Sequence, residues 1–293
     1  MKRFSVVCAA LCFATGSVFA QQSVWNDQLM QAVEQNHIAA LRQAYDNGAN
    51  VNYMRDDTTA LMVAVHNRNA QMVLELLRMG AAPNLFNSVG DSAIMLAAED
   101  NSTTVDIVDL LLRWGANISS LNGRGMTPLM LAILNLNRDM VNLLLEKGAS
   151  VISTSYDRRD ALIYAVLAGN EFAVTRLLRW DGINTSQEDI DGKTAFHYAV
   201  EQQNTNIVRL FLQDGRFDVN RPGRSLGLPP LLYAIQFKLS YTIIELLIDN
   251  SAFEGAWDAN GRGVAQYFNK YAGNNTQLRN LLVSKGVDLN VAW

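Results

Sequence analysis

Thr-Pro-Leu-Met-Leu-Ala at residues 127–132, followed by Leu-Leu-Leu-Glu-Lys-Gly-Ala at 143–149, carries the signature of two short helices joined by a turn. The proline suits the first turn of a helix, where its missing N–H costs nothing. Val141, Leu144 and Leu145 are three and four residues apart, so they share the core-facing side of a second helix. The glycine supplies the left-handed conformation that commonly ends a helix. The stretch therefore predicts a helix–turn–helix unit.

The same pattern recurs along the chain with a period of 33 to 35 residues. The second residue of each copy of the first block is alanine or proline, at Ala60, Ala93, Pro128, Ala161, Ala195 and Pro230. A degenerate copy begins at Gly263, and leucine runs that end at a glycine keep the same phase. One unit of this size cannot bury its own apolar face, so stacking of the units must form the core.

These blocks resemble the ankyrin repeat, whose pattern runs Thr-Pro-Leu-His-x-Ala, then Val-Val-x-Leu-Leu-Leu, then Gly-Ala-Asp-Val-Asn. The resemblance covers about residues 25–293. It implies an all-α fold, an ankyrin-repeat solenoid of about eight helix-turn-helix repeats with protruding finger loops, and atypical end repeats that face water on one side. We expect an ankyrin-repeat domain over 21–293, with repeats at about 25–56, 57–89, 90–123, 124–156, 157–190, 191–223, 224–257 and 258–293.

The N-terminus has the order of a secretory signal peptide. A basic Met1-Lys2-Arg3 start precedes an uncharged stretch from Phe4 to Phe19 and the small-x-small sequence Val18-Phe19-Ala20. We predict a signal peptide over 1–20 with cleavage after Ala20. The alternative is an uncleaved signal anchor, but the apolar stretch is short for a membrane span of about 20 residues. The prediction is an exported protein, periplasmic if the organism is a Gram-negative bacterium.

Cleavage would remove both cysteines, Cys8 and Cys12, and leave a body without a disulfide or a thiol nucleophile. It would also remove Lys2 and Arg3, which takes the net charge from −4 to −6. Binding to nucleic acid needs a concentrated basic face, so this charge argues against that partner. No later segment approaches 18 uninterrupted apolar residues, so we expect no membrane insertion after cleavage.

The sequence offers no convergent set of catalytic or metal-binding side chains. The three histidines, His37, His66 and His197, fall in repeats one, two and six and should lie tens of ångströms apart, so we expect no metal or other cofactor. His197 occupies the Thr-Pro-Leu-His position, where the resemblance implies a structural bond to backbone. We interpret the acidic pairs as solvated charges of loops or helix ends, namely Asp56-Asp57, Glu99-Asp100 and Glu188-Asp189.

Tyrosines recur at one register position, at Tyr164, Tyr198, Tyr233 and Tyr267. They could form an aromatic binding strip. We favour packing between repeats, because the same position holds Val63, Leu96 and Leu131 elsewhere.

The resemblance implies binding through finger tips and the exposed ends of the first helices. Mapped by register, the predicted partner-binding residues are Arg124, Met126, Leu134, Asn135, Tyr156, Asp157, Arg158, Arg159, Leu167, Asp191, Lys193, Glu201, Gln202, Leu228, Gln236 and Phe237. The five apolar members, Met126, Leu134, Leu167, Leu228 and Phe237, are predicted to face solvent and to meet a partner. The alternative is that adjacent fingers cover them.

We therefore expect a non-catalytic scaffold that binds a protein partner and is monomeric alone. Two alternatives are an immunity protein that occludes a secreted toxic enzyme and an accessory protein in peroxide defence, both roles of similar bacterial ankyrin proteins. An enzyme with an unusual site is a weak third interpretation, because the sequence shows no catalytic constellation.

Overall fold

The computed structural model describes residues 21–224, 226–250, 252 and 255–291. The predicted signal peptide, residues 1–20, lies outside the described residues. Two compact units make up the chain, the first ending at Ala149 and the second beginning at Ser150.

The described residues form successive pairs of short antiparallel helices, as the repeat pattern predicts. The first compact unit contains α1 (21–34), α2 (Ile38–Asp46), α3 (Ala60–His66), α4 (Ala70–Arg78), α5 (Ala93–Glu99), α6 (Val105–Arg113), α7 (Pro128–Leu134) and α8 (Arg138–Glu146). The second contains α9 (Ala161–Leu167), α10 (Glu171–Leu178), α11 (Ala195–Glu201), α12 (Thr205–Asp214), α13 (Pro230–Gln236), α14 (Tyr241–Asp249), α15 (Val264–Tyr267) with a π-helical turn (Phe268–Ala272), and α16 (Thr276–Ser284).

Side-chain caps begin many of these helices at a shared register position. Hydroxyl or carboxyl groups cap α3, α7 and α9, as where Thr127 Oγ1 accepts the Met130 amide N–H at 3.3 Å ahead of Pro128 in the first turn. Asparagine caps five of the second helices, α4, α8, α10, α12 and α16, as where Asn137 Oδ1 accepts the Met140 amide N–H at 3.0 Å. Such caps satisfy amides that have no partner inside the helix. After α8, Gly148 has φ of +83°, which confirms its predicted left-handed role.

The helices of each compact unit stack in two layers. First helices pack on first helices, as α5 does on α3 and α7, and second helices on second helices, as α6 does on α4 and α8. The core between the layers is apolar, with its largest fully buried rings at Phe196, Phe211 and Phe268. Truncating a buried ring of this size to alanine costs about 3–5 kcal/mol, so these rings contribute strongly to the stability of the stacked helices.

Hairpin-like fingers connect successive helix pairs. The first is a two-stranded antiparallel ribbon of β1 (Met54–Arg55) and β2 (Thr58–Thr59), with Met54 opposite Thr59. Single antiparallel bridges close two later fingers, between Phe86 and Ser92 and between Gly223 and Leu228. The predicted loops between repeats are thus ordered hairpins.

Candidate partner-binding surface

A repeated hydrogen-bond motif shapes the fingers. In five of the described fingers one residue, here called the anchor, accepts the backbone N–H of the residue four positions later. The anchors are Asn87, Asn122, Ser155, Asp189 and Asp258, with distances of 2.7–3.3 Å. Aspartate and asparagine favour such local bonds because their short side chains reach nearby amides. The anchors give the loops a fixed backbone from which side chains can project.

Three of the tyrosines that recur at one register position connect first helices to the anchors by hydrogen bonds. Tyr164 donates to Ser155 Oγ at 3.1 Å, and Tyr267 donates to Asp258 Oδ2 at 3.0 Å. Tyr198 donates to Asp189 Oδ2 at 2.5 Å. These three rings are buried. The packing interpretation is therefore confirmed for them, and the structure adds a function for the hydroxyl.

The anchor Asp189 lies at the centre of an ionic cluster in the second compact unit. Its side chain is fully buried, and Oδ2 also accepts Arg159 Nε at 3.2 Å. The neighbouring Glu188 pairs with Arg221 at 2.7 Å and with Arg224 at 3.0 Å. The interpretation of Glu188-Asp189 as solvated charge was wrong. The pair is buried because neighbouring fingers stack on it and supply cationic and amide partners.

Hydrogen bonds decide the protonation states of the buried groups. Burial alone would raise the pKa of Asp189, but the Tyr198 hydroxyl, the Lys193 amide and Arg159 together lower it. Burial raises the pKa of Tyr198, and its bond to Asp189 adds to that rise. Burial and the Asp258 carboxylate likewise raise the pKa of Tyr267 to about 12. Each tyrosine remains a neutral donor to an ionised anchor.

The predicted binding residues differ in exposure. Those that are exposed are Arg124, Tyr156, Asp157, Arg158, Asp191, Gln202 and Phe237. Those that are half-buried are Leu134, Asn135, Arg159, Leu167, Lys193, Glu201 and Gln236. Arg124, Leu134 and Asn135 belong to the first compact unit, whereas the residues from Tyr156 onward belong to the second.

Two of the apolar residues predicted to face solvent do not. Met126 is 1% exposed and Leu228 is 7% exposed. Both stand immediately before the cap of a first helix, on the segment of the finger that returns to the anchor. The Met126 amide donates to Asn122 Oδ1 at 3.0 Å and Met126 O accepts the Asn122 amide at 3.1 Å, while Leu228 O accepts the Gly223 amide at 3.1 Å. The same position is buried at Asp91 and half-buried at Thr58, Arg159, Lys193 and Arg262.

The structure exposes apolar residues that the sequence reasoning missed. Ile190 is 59% exposed and follows the anchor Asp189, just as Tyr156, 69% exposed, follows the anchor Ser155. The Ile190 amide donates to Asp157 O at 3.0 Å, which joins the two fingers. Trp257 was also missed and is 56% exposed, whereas Leu226, 52% exposed, stands at a finger position that the repeat register does predict to meet a partner. The shared position after the anchor is the signal that would have identified Ile190.

No metal or acid–base site stands out among the groups that the structure describes. No group of three or more His, Cys, Asp or Glu side chains within these residues could hold a metal ion. His197 Nδ1 accepts the Thr194 amide at 3.2 Å, and burial lowers the pKa of the ring. It caps its own helix, which supports the structural interpretation. No helix among the described residues is long and apolar enough to cross a membrane.

Comparison with known proteins decides the family. The family model described as ankyrin repeats (3 copies) matches residues 29–122, 61–155, 94–189 and 162–256. The chain belongs to the ankyrin repeat family. The ankyrin-repeat solenoid predicted from the sequence is thereby confirmed.

Several ankyrin repeat proteins are similar to this chain. An ankyrin repeat protein of fowlpox virus is 37% identical over 37% of this chain and 33% of its own length. The NF-κB p105 subunit of Gallus gallus is 28% identical over 59% of this chain and 15% of its own length. NF-κB inhibitor delta of Mus musculus is 29% identical over 55% and 45%. The chain thus spans less than half the length of each of these relatives.

Among solved structures, the ankyrin repeat domain of Bcl-3, a member of the IκB protein family, matches with a TM-score of 0.67 and 26% identity. The match covers 75% of this chain and 97% of that one. Ankyrin repeats imply a protein–protein interaction scaffold, and the comparisons indicate no enzymatic family.

Proposed function

We propose that this ankyrin repeat chain is a non-catalytic scaffold that binds a protein partner through the fingers of its second compact unit. The observation that carries the proposal is the set of large apolar side chains exposed on hydrogen-bonded fingers, namely Tyr156, Ile190, Leu226 and Trp257, with Phe237 at the end of α13. We call these five residues the finger surface.

Binding through these fingers should cost little conformational entropy, because the fingers are already ordered by hydrogen bonds. Large exposed apolar and aromatic groups gain free energy when a partner covers them, and aromatic residues are common at binding hot spots. The Ile190–Asp157 and Arg224–Gly192 backbone bonds hold neighbouring fingers together before any partner arrives. Rigid fingers lose little conformational freedom on binding, so more of the contact energy becomes affinity.

Identification of the partner would distinguish two more specific functions, that of an immunity protein and that of an accessory protein in peroxide defence. NF-κB inhibitor delta is by its name an inhibitor of another protein. This favours a blocking mode, in which the chain covers a secreted toxic enzyme as an immunity protein would. Co-purification with a peroxide-removing enzyme would instead support a role in peroxide defence.

We also propose export, which rests on the basic, apolar and small-residue order of residues 1–20. Expression of the full chain in a Gram-negative host tests this. The expected product is a periplasmic form whose first residue is Gln21. An unprocessed product in the cytoplasm would contradict it.

Site-specific photocrosslinking tests the finger surface. A photoreactive phenylalanine at position 156 should give a discrete crosslinked product in the native host. The matched control places the same group at Val283 on α16, which is 59% exposed in the same compact unit. Equal crosslinking from both positions would show no preference for the fingers.

The combined substitutions Tyr156→Ala, Ile190→Ser and Phe237→Ala provide a second test. They should abolish the crosslink from a reporter at Asp157 while the thermal midpoint stays within a few degrees of the parent, because exposed residues add little to stability. Loss of folding would favour the alternative that neighbouring fingers need these side chains.

A further inference from the structure

The last described repeat has two extra residues in its first helix, which there becomes π-helical. In repeat 6 the caps of the two helices, Thr194 and Asn204, are ten residues apart. In repeat 8 the corresponding caps, Gly263 and Asn275, are twelve apart. The two extra residues are absorbed in the π-helical turn Phe268–Ala272 that follows α15. Single π-helical turns in α-helices are frequent at functional sites.

The π-helical turn lines an open cleft of about 570 Å³ within the second compact unit. The other wall is the end of α13 and the start of α14. Apolar groups at the back include Ile235, Leu239 and Leu278, while Asn269 and Asn274 stand at the exposed rim. This volume lies in the range of small-molecule sites, which is about 300–1,000 Å³.

The charged residues that line the cleft, among those that the structure describes, are two lysines. Lys238 and Lys270 both line it and are exposed, and none of the described residues that line it is acidic. Lys238 has φ of +55°, and its amide donates to Ile235 O at 3.3 Å, which fixes its backbone after α13. The Lys270 ammonium lies 5.2 Å from the centre of the Tyr271 ring. Two exposed cations on the same cleft attract an anion.

We propose that this cleft binds a small organic anion that carries a carboxylate beside hydroxyl groups. The ammonium groups of Lys238 and Lys270 would pair with the carboxylate. Asparagine side chains both donate and accept hydrogen bonds, so Asn274 and the free acceptor capacity of Asn269 suit hydroxyl groups. The Asn269 amide itself donates to Leu289 O and Val291 O, which orients its oxygen. This site is separate from the finger surface and does not depend on it.

Titration of the purified full chain by two-dimensional amide NMR tests the proposal. Galacturonate serves as the probe, and galactose and galactosamine are matched neutral and cationic controls with the same ring. We expect saturable shifts at the amides of Gly273 and Asn274 with galacturonate alone. Equal shifts with galactose would overturn the anion assignment, and equal shifts with inorganic phosphate would overturn the need for hydroxyl groups.

Two charge-neutralising variants make the test specific. Lys238→Asn retains a residue type that tolerates positive φ, and Lys270→Gln retains side-chain length. Each should weaken galacturonate binding about tenfold, the usual effect of losing one charge-assisted bond. Lys285→Asn is the control, because Lys285 pairs with Asp249 and does not line the cleft. Unchanged binding in both cleft variants, or an equal loss in the control, would overturn the proposal.

Discussion

The Tyr198 hydroxyl donates a hydrogen bond of 2.5 Å to the buried carboxylate of Asp189, which joins α11 to the finger that precedes it. The Tyr198 ring also lies beneath Arg159 and Lys193, at 5.8 and 5.3 Å. One tyrosine therefore contributes a packed ring, two cation–π contacts and a charged hydrogen bond.

Tyr198→Phe isolates the hydroxyl, because the ring and its cationic neighbours remain. We expect the free energy of unfolding to fall by about 1.5–3 kcal/mol, the range for a bond to a charged group. Urea denaturation followed by circular dichroism measures this. Tyr156→Phe removes an exposed hydroxyl and should change stability by less than about 0.5 kcal/mol. Equal losses in the two variants would mean that the Asp189 bond adds nothing.

Asp160 caps α9 where α3 and α7 use Thr59 and Thr127. It is 1% exposed, and burial raises its pKa from 3.8 to about 6 although the Ile163 amide favours the charged form. The folded state therefore holds this proton more tightly than the unfolded state. Stability from this group is highest below about pH 4 and falls as the pH rises through about 6.

Asp160→Thr should remove this pH dependence and keep the cap. At pH 7.5 we expect a higher thermal midpoint than in the parent chain, because loss of the buried charge should raise the free energy of unfolding by about 1–2 kcal/mol. At pH 4 the advantage should disappear. Midpoints measured across this range check the slope, and a variant that is less stable than the parent at pH 7.5 would contradict the prediction.

Gly192 and Gly261 allow a direct comparison, because each lies in a finger and has a φ of +72°. A Cβ at Gly192 would lie 2.2 Å from Arg224 Cβ, whereas a Cβ at Gly261 would meet nothing within 4 Å. Gly261→Ala should cost about 1–2 kcal/mol from backbone conformation alone. Gly192→Ala should cost clearly more, because the Arg224 finger must also move. Equal costs by denaturant titration would rule out this close approach.

The sequence was sufficient to predict the repeats because their determinants are local. The proline and threonine at the start of α7 and the glycine after α8 act within one turn of their own helix. Residues Val141 and Leu144 are buried as their spacing predicts. Local capping and helical periodicity therefore specify helix pairs without knowledge of the neighbours.

Exposure within the fingers was harder to predict because it depends on residues one repeat away. Asp189 is buried by Arg159, 30 positions earlier in the chain. Asn122 bonds to Asp91, 31 positions earlier, in the finger that ends at Met126. Charge and hydropathy suggested that Asp189 faces water and Met126 meets a partner. The stacking of fingers reverses both outcomes, so composition at one position cannot determine exposure there.

Asp258 should respond to pH in the direction opposite to Asp160. Burial disfavours its charge, but bonds from Arg262, Asn260 and Tyr267 lower its pKa from 3.8 to about 2. The unfolded state binds this proton more tightly, so the stabilisation is present above about pH 4 and is lost as the pH falls towards 2. The Tyr267 hydroxyl is 3.0 Å from Oδ2, and Arg262 Nε is 2.7 Å from it.

Asp258→Asn should lower the thermal midpoint at pH 7, because the neutral amide weakens the pairing with Arg262 and leaves Tyr267 with a poorer acceptor. The gap between the midpoints of variant and parent should narrow as the pH falls below about 4, because the unfolded parent takes up a proton there that the folded parent does not hold. Asp181→Asn, at an exposed position in the same compact unit, serves as the control and should leave the midpoint unchanged. A gap that stays constant from pH 7 to 3 would show that the side-chain shape of Asp258, rather than its ionisation, holds the finger.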